Sequence, residues 1–381
     1  MKKIVIIIVF IIVSCTNSHK QSIFEDDQFY IIDLEQCLKM EQSLFVSDIA
    51  DTVEYIILYT PRNIIISDIR QVVPFEEYLF IRARGYVYQF LRNGKFIRQI
   101  GSRGRGPGEY IVASNVVIDK HKNEIIVGGL THLLFYSMEG IFLRSQLFPA
   151  SDFIFSDSLI WVSYYPGFWQ KFHAISYTTS GDTVSYIGNS DFGKLSGSQS
   201  IVSSKLLTPF YFHNNNAYLK GFENNDTVWK LSGDIVKPHA YINMGRYKLP
   251  IEFSPGTQDF ILRGKDYLGI PLFFEDNDHF FFVTQNRRLA EYNYLVYDKR
   301  KNVGFVLKDN KGEGITDDIL GGPHIKPLWS TDDYIISIYE GVDLLEDIEL
   351  GKHSPLPAFK KQLSTITEST NQLIILCHKK P

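Results

Sequence analysis

Residues 88–144 read YQFLRNGKFIRQIGSRGRGPGEYIVASNVVIDKHKNEIIVGGLTHLLFYSMEGIFLR. Short runs rich in β-branched and aromatic residues, at 88–90, 96–100, 116–118, 124–127 and 133–136, have the composition of strands. Asn93-Gly94 sits between the first two runs, where a tight hairpin needs positive φ. Glu139-Gly140 repeats that turn signal one unit later, and a glycine-rich stretch at 101–110 joins the two units. Strand pair, glycine-rich connection, second strand set: this order describes one unit of a repeated β-sheet architecture.

The same rhythm extends outward in both directions. Units of about 40 to 50 residues are the period of propeller blades. Candidates fall at 64–100, 116–143, 153–187, 209–243 and 271–307, with a sixth beginning near His324 and including 334–338. The sixth is short of strands. A strand-like run at 52–59, near the start of the chain, is placed to complete it, and a run at 373–377 is a second candidate. Borrowing a terminal strand closes the ring and removes an edge that would otherwise pair with other chains. Residues 354–370 read as a short helix or loop. The expected fold is therefore all-β: a six-bladed β-propeller of four-stranded antiparallel blades.

The stretch Gly101-Ser102-Arg103-Gly104-Arg105-Gly106-Pro107-Gly108-Glu109-Tyr110 invites a phosphate-loop reading. Such a cradle must run from a strand into a helix N-terminus, whose free N–H groups hold the anion. Here extended, β-branched sequence follows at 112–118, so the loop is expected to connect blades. Glycines permit positive φ and close backbone approach, and Tyr110 is expected to fill the gap between neighbouring blades. Phe90, Gly94, Phe96, Gly101, Gly104, Gly106, Pro107, Gly108, Glu109 and Tyr110 together resemble the six-bladed β-propeller lipoproteins of Gram-negative bacteria, relatives of NHL-repeat propellers. That resemblance implies the fold and export, and carries no assigned activity. Gly128-Gly129 departs from it, standing where NHL units usually have an Asp.

The N-terminus agrees with export. Lys2 and Lys3 precede an unbroken apolar run at 4–13, too short to span a bilayer and suited to a signal peptide. Ile12-Val13-Ser14-Cys15 resembles a lipobox, which implies lipidation at Cys15, with stable anchoring by several acyl chains. The expected organisation is a lipoprotein signal peptide at 1–15, a tether and N-terminal segment at 16–50, and the propeller at 51–381. The location implied is the cell envelope, as an outer-membrane lipoprotein, with periplasmic and surface-exposed display both open.

Composition excludes some classes. The chain is 44% hydrophobic and 14% aromatic, with a formal charge of −4. That balance gives no basic face for nucleic acid. Cys37 and Cys377 lie near opposite ends; two separate buried thiols are expected, with a disulfide as the alternative that export permits. No metal-ligand spacing occurs, and no metal or other cofactor is expected.

Binding candidates come from two places. Arg103 and Arg105 are permanent cations suited to carboxylates or phosphates, with Glu109 beside them as ligand contact or as their ion-pair partner. Trp161, Tyr165 and Trp169, with Tyr164 and Phe168, form the densest aromatic cluster. They are read either as a stacking surface for sugars or peptides or as packing between blades. His132, His173, His213 and His279 lie on or beside predicted strands in different units, and no catalytic residue is assigned. The expectation is a monomeric, lipid-anchored, non-enzymatic binding or scaffold module for an envelope protein or extracellular polymer. The alternative is a hydrolase or lyase acting on glycan or peptide in the central channel.

Overall fold

The computed structural model describes residues 28–148, 152–163, 171–190, 192–193, 209–220, 226–250, 263–286, 291–308, 313–351, 355–357, 359–360, 366 and 372–380. Six antiparallel sheets follow one another along the chain. Blade 1 holds Ile69–Phe75, Tyr78–Ala83, Tyr86–Leu91 and Phe96–Ile100, and blade 2 holds Asn115–Asp119, Glu124–Gly128, His132–Ser137 and Phe142–Leu147. Blade 3 holds Asp152–Ser156, Leu159–Ser163, Phe172–Tyr177 and Thr183–Gly188. Blade 4 holds Phe210–His213, Asn216–Lys220, Thr227–Ser232 and Ile235–Asn243, and blade 5 holds Leu268–Glu275, His279–Asn286, Tyr292–Asp298 and Val303–Leu307. First strands of successive blades approach one another, so they line the axis and fourth strands lie outermost.

Both terminal runs enter blade 6. Its order is Trp329–Ser330, Tyr334–Tyr339, Leu373–Lys379 and then Ala50–Ile57 at the outside. The N-terminal strand pairs antiparallel with the C-terminal one along its length, from Leu373 opposite Ile57 to Cys377 opposite Val53. This non-covalent closure is sealed onto blade 1 by the Asn93-Gly94 turn. Tyr59 N–H donates to Gly94 O at 2.9 Å, Phe96 N–H donates to Tyr59 O at 3.1 Å, and Gly94 has φ of +82°.

Residues 30–49 wrap the outside of the ring. Tyr30–Asp33 adds in parallel to Ile235–Asn243 as a fifth strand of blade 4, and Glu41–Gln42 adds in parallel to Val303–Leu307 of blade 5. Two four-residue helices, Leu34–Cys37 and Val46–Ile49, link these strands and the closing strand. Asp33 caps the first helix by accepting from Gln36 N–H at 3.1 Å. Covering the outer edges of these two blades removes templates for pairing with other chains. A further helix, Gly341–Glu349, lies between the second and third strands of blade 6, upstream of where the sequence placed a short helix or loop.

The core is a series of layers between blades. One cluster packs Leu79, Ile81 and Phe90 of blade 1 on Ile56, Ile336 and Leu376 of blade 6. The next packs Phe80, Val87 and Ile100 on Val116 and Ile125 of blade 2, with Tyr110 inside it. Cys37 and Cys377 are both buried and both free, so no disulfide joins them.

Candidate functional site

An antiparallel four-stranded blade puts its two kinds of connection at opposite ends of the ring. Interblade connections and turns between second and third strands share one end, here called upper. Turns between first and second, and between third and fourth, strands share the lower end.

The glycine-rich loop is at the upper end, between blades 1 and 2, and it is braced. Ser102–Arg103 pairs in parallel with Glu109–Tyr110. Tyr110 is buried; its hydroxyl donates to Ile100 O at 2.7 Å and accepts from Val87 N–H at 3.2 Å. Tyr136 donates to Gly108 O at 3.0 Å from blade 2. Gly101 and Gly108 take φ of +65° and +73°, where a side chain would be strained. The Glu109 carboxylate folds back over the loop, accepting from Gly106 N–H at 2.8 Å and Ser102 Oγ at 3.3 Å. It therefore organises the loop and forms no ion pair with Arg103 or Arg105. Both arginines are exposed, and neither makes an ion pair or side-chain hydrogen bond.

The other candidates separate. Trp161 is fully buried and its indole N–H donates to Gly233 O at 3.1 Å, so it packs blade 3 on blade 4 and offers no stacking face. Tyr165 and Trp169 lie outside the described residues, as does Cys15. His132 is exposed, its Nδ1 2.9 Å from Thr131 Oγ1, and His279 Nδ1 is 3.2 Å from the Asp276 carboxylate. Among the described residues no group of three or more His, Cys, Asp or Glu is placed to hold a metal ion. Among them, too, no helix is long and apolar enough to cross a membrane.

Inner strands are stitched together by side chains at both ends. At the upper end Gln71 clamps blade 1 to blade 2: its Nε2 donates to Val116 O and its Oε1 accepts from Val116 N–H, both at 2.9 Å. Asn115 Nδ2 then donates to Phe153 O of blade 3 at 2.7 Å. Arg82, opposite Gln71 in the ladder, donates from Nε to Gln71 Oε1 at 3.4 Å and from Nη2 to Arg70 O at 3.3 Å.

The lower end carries a charged network that sequence reading missed. Glu275, the last residue of the first strand of blade 5, is fully buried. Its carboxylate accepts from Tyr211 Oη at 2.9 Å and Lys299 Nζ, and lies 2.9 Å from His239 Nε2. Burial alone would push this carboxyl up; the His239 hydrogen bond and the charges of Lys299, His239 and His213 outweigh it and bring it down to about 2. Burial pushes His213 down to about 4 and Lys379 down to about 8. Lys379 Nζ donates to Glu275 O at 3.2 Å and Thr331 O at 2.7 Å, clipping blade 5 to blade 6. Asn214 Nδ2 donates to Asn277 Oδ1 at 3.2 Å and Asn215 N–H to Asp332 Oδ1 at 3.3 Å. Turns of blades 4, 5 and 6 are thus hydrogen-bonded to one another across the lower end. Every group in this network has a partner, so its role is to hold the ring.

A closed ring with a cross-linked lower end and a braced, cation-bearing loop at its upper end defines a six-bladed β-propeller. The chain belongs to the family described as "Domain of unknown function (DUF4934)", which matches residues 29–378. It is similar to a candidate exported protein from Bacteroides fragilis, at 17% identity and a TM-score of 0.70 over 93% of this chain and 100% of that one. It is also similar to a member of the duf4221 family from Bacteroides vulgatus, at 13% identity and a TM-score of 0.50 over 87% of this chain and 97% of that one. No curated protein matches the chain. At these identities the likeness is one of fold.

Proposed function

We propose that this protein is an exported, lipid-anchored propeller that binds an anionic partner at its upper end without transforming it. One observation carries the reading: Arg103 and Arg105 are exposed and unengaged while the adjacent acid, Glu109, is turned into the loop backbone. A surface arginine beside an acid can form an ion pair worth up to about 1 kcal/mol, and none forms here. Here the loop is held rigid by Tyr110, Tyr136 and Glu109 and presents two guanidinium groups to solvent, a geometry suited to carboxylate or phosphate groups on a protein or polymer. Anchoring is supported by the lipobox resemblance of residues 12–15, and export also by the fold shared with the Bacteroides fragilis protein.

The test uses the full chain and its Arg103→Ala/Arg105→Ala variant as baits on solubilised native envelope. The wild type should enrich a component that the variant loses by about tenfold or more, the equivalent of one strong charge-assisted contact. Equal enrichment by both baits would remove the loop from the binding surface.

A further inference from the structure

The fourth strand of blade 2, Phe142–Leu147, is the outermost of its sheet, and among the described residues no strand pairs with its outer side. Its side chains are placed the wrong way round for an edge that meets only water. Arg144 is tied down: Nη1 and Nη2 donate to the two Glu124 carboxylate oxygens, both at 2.7 Å, and the guanidinium lies 4.0 Å over the Phe135 ring. Gln146 donates to Thr179 O of blade 3. Leu143 and Leu147 instead stand 47% and 75% exposed, and Ile141, just before the strand, 64%. Natural proteins protect open edges with charge, because the free N–H and C=O groups pair with any extended chain. This chain covers two other edges in that way itself, laying Tyr30–Asp33 on blade 4 and Glu41–Gln42 on blade 5, both in parallel. Blade 3 also leaves its fourth strand open; what sets blade 2 apart is the arginine loop at the start of its edge. A Cβ on Gly108 would lie 2.9 Å from Phe142 Cβ, and Tyr136 holds Gly108 O at 3.0 Å, so the loop is seated on the first residue of the edge strand.

We propose that this edge is a strand-addition site for an extended segment of a partner protein, one in which carboxylates precede a short apolar run. The three features select that chemistry together. A row of free backbone groups is matched by another strand and by no lipid or sugar. Exposed Leu143 and Leu147 take apolar side chains, and Arg103 and Arg105 take carboxylates. Orientation follows from the precedent at blades 4 and 5: a parallel segment runs in the sense of 142 to 147, so the residues ahead of its apolar run lie beside the loop. An acidic polymer or an anionic membrane would satisfy the arginines and leave the edge unpaired. The inference rests on the reading of Arg103 and Arg105 as a binding surface and names the class of partner they hold.

The chain's own sequence supplies a probe of the right order, since Glu25, Asp26 and Asp27 precede Phe29, Tyr30, Ile31 and Ile32. A fluorescein-labelled peptide of residues 24–34, titrated with the full chain and read by anisotropy, should bind with a Kd of about 100 μM or tighter. Leu143→Lys/Leu147→Lys and Arg103→Ala/Arg105→Ala should each weaken that binding about tenfold. All four side chains are exposed, so both variants should melt with the wild type, which certifies the fold. Silence from the peptide, or binding indifferent to either pair of substitutions, overturns the site. So does a silent peptide beside polygalacturonate or anionic phospholipid vesicles that bind the leucine variant undiminished, which gives the loop to a polymer or a membrane. If the peptide is silent while Arg103→Ala/Arg105→Ala still loses its envelope component, this inference alone fails. If the peptide behaves as expected while both baits capture equally from envelope, the envelope reading alone fails.

Discussion

Glu275→Gln isolates the charged network that ties the lower ends of blades 4, 5 and 6. The substitution keeps the volume and an acceptor for Tyr211, but leaves the Lys299 ammonium buried against a neutral amide. Glu275 is fully buried, and its partners bring its carboxyl from the usual 4.5 down to about 2. At about 1.4 kcal/mol per tenfold, that difference corresponds to roughly 3 kcal/mol of folding free energy. The value agrees with the about 3–5 kcal/mol lost when one member of a buried ion pair is removed. A carboxyl held down in the folded state stabilises above its unfolded pKa. The gap between wild type and Glu275→Gln should therefore be complete at pH 7, shrink as pH falls below 4.5, and close near 2. Urea denaturation with an unchanged slope is the assay. Adding Lys299→Met should restore part of the loss, because the stranded charge goes with it. A gap under about 0.5 kcal/mol at pH 7, within the range of ordinary surface substitutions, would refute the role assigned to Glu275. A gap that stays constant on acidification would refute it equally.

Ring closure and anchoring give two further tests. A Cβ on Gly94 would lie 1.8 Å from Ile57 O and would need φ of +82°, so Gly94→Ala should lower stability by more than about 2 kcal/mol. Gly181→Ala, with φ of +98° and nothing within 4 Å, should cost about 1 kcal/mol by thermal melting. Equal effects would mean that the Asn93-Gly94 turn does not abut the closing strand. Cys15→Ala should move the protein from the membrane to the soluble fraction of the native host. Unchanged fractionation would argue against the lipid anchor.

Features with a local physical cause were legible in the sequence. Asn93-Gly94 announced a hairpin because the turn itself demands positive φ. Residues 52–59 and 373–377 announced ring closure because their apolar pattern had no partner within a unit, and the structure pairs them with each other. The glycine-rich loop read as a connector because extended sequence follows it. What escaped had no local cause. Tyr30–Asp33 and Glu41–Gln42 are strands only because blades 4 and 5 offer edges to them. Glu275 gathers Tyr211, His239 and Lys299 from three stretches of chain, none of which carries a spacing motif. Trp161 could be read either as a stacking face or as packing between blades, because sequence proximity to Tyr165 and Trp169 says nothing about which face a strand residue takes; the structure buries it between blades 3 and 4.

Hydrogen–deuterium exchange of the full chain, with and without native envelope extract, tests most directly which end of the ring binds. Protection should appear at 101–110, with the lower turns at 214–216, 276–279 and 331–333 unchanged. Protection confined to those lower turns, or to the outer strands, would contradict the assignment of binding to the upper end.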